Sequence, residues 1–385
     1  MASNYSYHRI LPQNAKDSYK EFDVVDFELD YPERALLLGT VRLEGEVEAV
    51  VDSTITLNRD VATTIGINAD KLDIRYDGRA GAHGLIENVT TTMNGQVVES
   101  LGDYGRYCKM STIAMSSPDD TSCNSSQVCE MKAGRDSITN NILKGETVET
   151  DPTMSDAIPV RKNPDFSIKP RICLNGGQGA LPSRRASNLQ VSFNLARNFG
   201  VLYGLDMASV VSYNLKNLRL TFVSVPDDGS NTPIPCRAKI NVKQSIQSSQ
   251  ANVNVRVNAP CDAVSISFNV QSQENSPKYN NLVCHPVPNL TSTQFLFNNS
   301  TNSLVSYQIR NNAEILDRAI DSFVDADKNS LSPPIVANGD NFLMGLNFDE
   351  VIPLGNQKFS VELQSSVSNL VPLVMYMYFH STIEL

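Results

Sequence analysis

The sequence predicts an all-β chain of two consecutive β-sandwiches with a few short helices in loops. Three observations predict it: apolar and polar residues alternate with period two in several separate stretches, breaker-rich turns divide them, and their order recurs once along the chain. At 385 residues the chain exceeds the roughly 250–300 residues at which a single core stops growing, so two domains are expected. Hydrophobic residues make up 41% and charged residues 19%, enough apolar side chain to fill cores and too little charge for a disordered protein.

Taken in chain order, Val41 to Ala49 (VRLEGEVEA) places apolar residues or glycine at odd positions and charged residues at even ones, a strand with one buried and one wet face. Val89–Met93 and Gln96–Glu99 flank Asn94-Gly95, the dipeptide of a type I′ hairpin turn. Leu189–Leu195, Val264–Val270 and Phe359–Leu363 repeat the alternation, each sending apolar side chains one way and short polar ones the other. Helical signal is scarce. Ala313, Ile315, Leu316, Ala319, Ile320, Phe323 and Val324 recur at helical spacing opposite Glu314, Asp317, Arg318 and Asp321, with Asn311 and Glu314 placed as an N-terminal cap. A weaker candidate carries Met131, Ile138 and Ile142. The densest breaker cluster is Pro226-Asp-Asp-Gly-Ser-Asn-Thr-Pro-Ile-Pro235. The expected organisation is therefore an N-terminal arm over 1–20, a first sandwich over 21–225, a linker over 226–235 and a second sandwich over 236–385.

The halves echo one another. Asn88-Val-Thr-Thr-Thr92 resembles Asn289-Leu-Thr-Ser-Thr293, and each is followed by a tyrosine-to-arginine step, Tyr104 to Arg106 and Tyr307 to Arg310, and then by a helix candidate. Leu181-Pro182 precedes Val191–Leu195 as Ile352-Pro353 precedes Phe359–Leu363. The offset falls from 201 (289 minus 88) to 171 (353 minus 182), which assigns about 30 extra loop residues to the first copy.

In this order of elements, and most of all in Asp340–Phe348 through Phe359–Leu363, the chain resembles the double jelly-roll major capsid proteins of tailless icosahedral DNA viruses, the lineage of adenovirus hexon and the virophage capsids. The resemblance covers most of the chain in architecture and implies that both sandwiches are jelly rolls. It further implies a homotrimer of pseudo-hexagonal outline in the shell of a virion, synthesised in the host cytoplasm or nucleus. Its implied partners are copies of itself in neighbouring capsomers, other capsid proteins such as a vertex protein, and an internal membrane reached by the N-terminal arm. The chain is short beside hexon-type members, so large surface towers are not expected. Two readings of other classes stand beside it. A minor or vertex capsid protein, or a receptor- or glycan-binding β-sandwich, predicts one jelly roll joined to an unrelated domain; a β-rich enzyme predicts a pocket of convergent titratable groups.

The net charge of −10 argues against a surface built to bind phosphate backbone, and no sequence-specific nucleic-acid binding is expected. The first twenty residues differ, with Arg9, Lys16 and Lys20 against Asp17 and with Tyr5, Tyr7 and Tyr19 interleaved; they read as an arm or as a frayed terminus. No apolar run reaches 18 residues and the first twenty residues lack a signal peptide's apolar stretch, so a soluble protein outside the classical secretory route is expected. Seven cysteines without a CxxC spacing read as reduced core fillers.

The chemical inventory is thin. His8, His83, His285 and His380 fall in no metal-binding spacing, and neither GxSxG nor a Walker A loop occurs. Gly176-Gly177-Gln178-Gly179 misses the dinucleotide spacing and reads as a flexible loop. Paired carboxylates of the glycosidase kind meet only in space and stay open, although the chain has no tryptophan to stack a sugar. Asp325–Ser330 begins like a calcium loop but has Ser330 where the turn wants glycine and Val336 where a bidentate glutamate belongs. The sequons at Asn88, Asn124, Asn289 and Asn299 are expected by chance in a chain rich in Asn, Ser and Thr. No catalytic, cofactor-binding or metal-ligating residue is assigned, and no cofactor is expected.

Overall fold

The computed structural model describes residues 4–51, 75–77, 79–115, 165–203, 211–297, 307–309, 312–323, 341–354 and 358–385. In the first half β1 (Ser6–Ile10), β2 (Val24–Glu28), β3 (Arg34–Leu37), β4 (Arg42–Val51), β5 (Arg75–Tyr76), β6 (Ile86–Met93) and β7 (Gln96–Leu101) lead into helix α1 (Tyr104–Met115). Then follow β8 (Asp165–Ile168), β9 (Ala180–Pro182), β10 (Gln190–Leu195), the short helix α2 (Asn198–Val201), β11 (Leu202–Tyr203) and β12 (Val211–Pro226). The second half holds β13 (Pro235–Ile246), β14 (Gln250–Val255), β15 (Pro260–Val270), β16 (Leu290–Phe297), β17 (Tyr307–Ile309), helix α3 (Asn312–Asp321), β18 (Met344–Pro353), β19 (Phe359–Ser365) and β20 (Leu373–Glu384).

The second half pairs as β13-β20-β15-β18 in one sheet and β14-β19-β16-β17 in the other. Every pair is antiparallel, the first strand lies beside the last and the second beside the last but one, which is the connectivity of an eight-stranded jelly roll. The first half repeats it. Its sheet β2-β10-β6-β7 stands for β14-β19-β16-β17. Its other sheet runs β8-β4-β12-β3-β9 with β1 on β12, so that β3 with β4, and β8 with β9, each occupy the place of one strand. Leu220 and Thr221 pair with both β1 and β4, which puts those two strands on opposite edges of β12. The short pair β5-β11 is an addition to this plan. Each helix, α1 and α3, follows the fourth strand of its β2-type sheet, so the repeat read in the sequence is a repeat of topology.

The alternating stretches form strands β4, β10, β15 and β19, and the helical pattern forms α3 from Asn312 to Asp321, with Val324 outside the described residues. Asn94 (φ 54°) and Gly95 (φ 75°) both take left-handed backbone, as a type I′ turn requires. Asn311, the 131–142 helix candidate, the Asp325–Ser330 loop, Cys123, Cys129, Asn124 and Asn299 lie outside the described residues. Three expectations differ from what is seen. Residues 6–10 of the expected arm form β1 inside the first jelly roll. Tyr104 opens a helix while Tyr307 opens a strand, so the tyrosine-to-arginine step does not correspond between the halves. The polar face of β15 is dry: Ser265, Ser267 and Asn269 are fully buried.

That last difference follows from where the cores sit. One core lies between the two sheets of the second half and takes Ile266 and Phe268 of β15 with Met375, Met377 and Phe379 of β20. The other fills the first half and extends across to Val374, Tyr376 and Tyr378 of β20, to Cys284, and to Ala319 and Phe323 at the end of α3. The β13-β20-β15-β18 sheet is thus covered on both faces, by its partner sheet on one and by α1, α3 and the first half on the other. A strand buried on both faces loses the wet side that its alternation advertised.

Candidate functional site at the junction of the jelly rolls

Helix α1 carries the first half against the second. It is buried from Tyr104 to Ala114, so the lysine and arginine on it must find partners inside the protein. Arg106 donates to the carbonyls of Val283 (2.6 Å) and Asn281, and its guanidinium lies 4.0 Å from the ring centre of Tyr376. Lys109 donates to Asp77 Oδ2 at 2.7 Å, and Asn280 Nδ2 donates to the same oxygen at 2.7 Å. Just before the helix, Gly102 N donates to Asn241 Oδ1 (2.9 Å) on β13, and Tyr378 Oη on β20 donates to Asp103 O (2.9 Å). Glu99, at the end of β7, accepts from the backbone of Cys173 (2.6 Å) and of Lys239 (3.2 Å), joining a first-half loop to β13. Burial drives its carboxyl upward, against the pull of Lys239 and those N–H groups.

The glycine-rich loop belongs to this junction. Gly176 O accepts from Arg237 N (3.2 Å) and Gly177 bridges to Cys236 on β13. A Cβ on Gly177 would overlap Cys236 Sγ, and one on Gly176 would lie 2.9 Å from Arg237 O. The loop is packed against a strand, where the sequence reading expected flexibility, and its glycines serve close backbone approach.

Two hollows open along the junction. A small one of about 120 Å³ gathers Glu87, Asp103 and Glu274 with Arg106, Arg197 and Lys243. Burial raises the carboxyls of Glu87 and Asp103; the charge of Asp103 adds to the shift of Glu87, and that of Glu274 to the shift of Asp103. The larger, of about 630 Å³, is lined by His83, Lys169, Arg171, Lys239, His380 and the loop 175–179.

The four histidines are all placed. His8 stacks on Phe222 at 4.6 Å and bonds Ser224 Oγ (2.7 Å); His285 bonds Gln273 Oε1 (2.9 Å). His83 bonds Tyr104 Oη (2.9 Å) through Nδ1, and burial pushes its pKa down to about 3. His380 Nε2 lies 2.8 Å from Ser265 Oγ, the spacing of a nucleophile and its base. Both residues are buried and no carboxylate bonds the imidazole's other nitrogen among the described residues, so the pair lacks the access and the orienting group of a hydrolase. Asn88 and Asn289 lie on or beside strands β6 and β16. The described cysteines, Cys108, Cys173, Cys236, Cys261 and Cys284, are free and buried, and burial holds the Cys108 thiol up at about 11. Among the described residues no three His, Cys, Asp or Glu side chains gather as a metal set, and no helix is long and apolar enough to cross a membrane.

The order β13-β20-β15-β18 over β14-β19-β16-β17, met twice, decides the architecture. The fold is the double jelly roll. The Faustovirus major capsid protein is similar over 99% of this chain and 90% of its own, with TM-score 0.63 at 9% identity. The Sputnik virophage structure is similar over 100% of this chain and 86% of its own, with TM-score 0.56 at 10% identity. The PBCV-1 capsid is similar over 100% and 95%, with TM-score 0.54 at 10% identity. No family model and no curated protein matches the sequence. At such identities the double jelly roll is shared in its strand order and its length, with few of its residues in common.

Proposed function

We propose that this double jelly-roll chain is a major capsid protein, the structural subunit of an icosahedral DNA-virus shell, assembling as pseudo-hexagonal homotrimers and residing in the virion. The observation that carries the reading is the match of both jelly rolls at once, over almost the full length of this chain and of capsid proteins that share about a tenth of its residues. The junction supports it: two sandwiches locked through α1 make a rigid brick, which suits a subunit held on several sides. The role is not enzymatic on this reading, and the buried Ser265–His380 pair is structural. On this reading the two jelly rolls divide at 226–235, which the end of β12 at Pro226 and the start of β13 at Pro235 support. Partners are copies of the same chain, neighbouring capsomers, other capsid proteins such as a vertex protein, and an internal membrane near the exposed Tyr5 and Tyr7.

Light scattering on the purified chain tests the reading. The expected mass is three times that of the chain at micromolar concentration; a stable monomer there overturns the trimeric capsomer.

A further inference from the structure

We infer that β1 is an intermolecular docking edge, at which two copies of this chain join antiparallel about a two-fold axis through His8, with Tyr7 of each copy opposite Arg9 of the other. Among the described residues β1 pairs with β12 alone, so its second edge is open. The register shows which groups that edge presents. Val223 N donates to Thr40 Oγ1 (3.1 Å), in the connection between β3 and β4, and therefore points away from β1. Val223 stands opposite Tyr7, and in such an antiparallel pair both residues turn their N–H and C=O away from each other. The alternation then directs the backbone of Tyr7 and Arg9 to the open edge, and that of Ser6, His8 and Ile10 to β12.

Edges that stay bare are commonly blunted by a proline, a bulge or an inward charge. β1 holds no proline and meets β12 without a register shift. Its inward His8 stacks on Phe222 at 4.6 Å, and burial, with the charge of Arg34, keeps the ring below the ordinary histidine value and so uncharged at neutral pH. The other face carries Tyr7, 63% exposed, and the half-exposed Arg9. An exposed aromatic and an arginine beside an open row of backbone donors and acceptors are the composition of an interface anchor.

A second copy is the occupant because this edge complements itself. Residues that face the edge must meet residues that face it, so the axis passes through a residue of β1. Through His8 it overlaps the whole of Ser6–Ile10 with its copy, each Tyr7–Arg9 pair exchanging both of its N–H···O bonds and setting a tyrosine ring beside a guanidinium. Through Arg9 it would set like charges face to face. The Arg9–Glu44 contact is a single exposed bond of 3.2 Å, weak enough to yield to the new partner. The contact is isologous and small, hence reversible. On the shell reading, on which its setting rests, it joins neighbouring capsomers.

Sedimentation equilibrium of the full chain up to high micromolar concentration tests the pairing. The expected result is a doubling of mass with concentration, from trimer to pair of trimers. A chain that is monomeric at low concentration doubles to a dimer instead, so failure of the trimer and failure of this contact are read separately. Tyr7→Pro abolishes the doubling and leaves the thermal midpoint in place, since the N–H it removes faces outward and proline is accepted at such an edge. Arg9→Ala weakens the association about tenfold, the loss of both cation–π pairs. Under mild oxidation, Tyr7→Cys chains mixed with Arg9→Cys chains cross-link to twice the chain mass, which neither variant does alone, because position 7 of one copy opposes only position 9 of the other. A doubling that Tyr7→Pro leaves intact, or no doubling together with no cross-link specific to the mixture, overturns the pairing. So does binding to anionic vesicles that Tyr7→Pro removes in the absence of any doubling, which assigns the edge to a membrane.

Discussion

Asp77 takes four donors: the backbone of Arg79 and Ala80 on Oδ1, each at 2.9 Å, and Lys109 Nζ with Asn280 Nδ2 on Oδ2, each at 2.7 Å. The side chains of the ion pair are 6% and 3% exposed. Burial alone would raise this carboxyl, but Lys109 and the other donors overcome it and hold it below the ordinary aspartate value. A buried pair of this kind punishes the loss of one partner more than it rewards the presence of both, because the survivor is left charged and dry. Lys109→Met is therefore expected to cost about 3–5 kcal/mol of unfolding free energy, read as a lower urea midpoint. The double variant Asp77→Asn/Lys109→Met recovers part of that loss, and equal midpoints for the single and double variants would show that packing rather than charge was removed. The pH dependence has a definite sign. A carboxyl whose folded value lies below its unfolded one stabilises fully above the unfolded value near pH 4, and its contribution disappears as pH falls through the lowered folded value. Acid should weaken the native chain at this point and leave the double variant less affected.

At the scale of elements, the strands with one wet face were legible, and those without one were misread. β4 follows its alternation closely, with Val41, Leu43 and Val47 buried against exposed or half-buried Arg42, Glu44 and Glu46. β15 carries the same pattern, yet its serines are buried, Ser265 against Ser322 just after α3 and His380 of β20, because amphipathicity reports side-chain polarity and not what will cover a face. Helix α3 was visible because one side stays polar. Helix α1 was invisible for the opposite reason: enclosed on all sides and carrying Gly105, Arg106, Lys109, Ser111 and Thr112 inward, it offers no stripe to find. The loop at Gly177 was misread similarly, since a glycine needed for close approach and one used for flexibility look alike in a sequence. Gly177→Ala separates these uses. A methyl there overlaps Cys236 Sγ and presses on Leu38, so a loss of about 1–3 kcal/mol is expected in thermal or urea unfolding. Cys236→Ala in the same chain should restore most of it, whereas a merely flexible loop would accept the alanine without loss or gain stability from it.

The whole molecule was read from its repeat. Asn88–Thr92 falls on β6 and Leu290–Thr293 on β16, just after Asn289; the two strands hold the same place in their sheets, as do Val191–Leu195 on β10 and Phe359–Leu363 on β19. What one sequence could not display is how far the two jelly rolls depend on one another. Val374, Tyr376 and Tyr378 of β20 belong to the core of the first half, while Met375, Met377 and Phe379, alternating with them, belong to the core of the second. One strand therefore serves both cores, and Arg106 and Asn241 cross the same boundary with hydrogen bonds. Cooperative unfolding requires that loosening one part removes support from the next, and a shared strand meets that condition directly. The full chain should unfold in one transition, with calorimetric and van't Hoff enthalpies in agreement, although its length alone would favour two. Residues 235–385 expressed by themselves should not form a stable unit: the β13-β20-β15-β18 sheet would present Tyr376, Tyr378, Phe323 and Cys284 to water as one apolar patch, bind a dye such as ANS, and aggregate. A sharp, reversible melt of that fragment, matching a separate transition in the intact chain, would show instead that each jelly roll carries its own stability and that the junction only docks them.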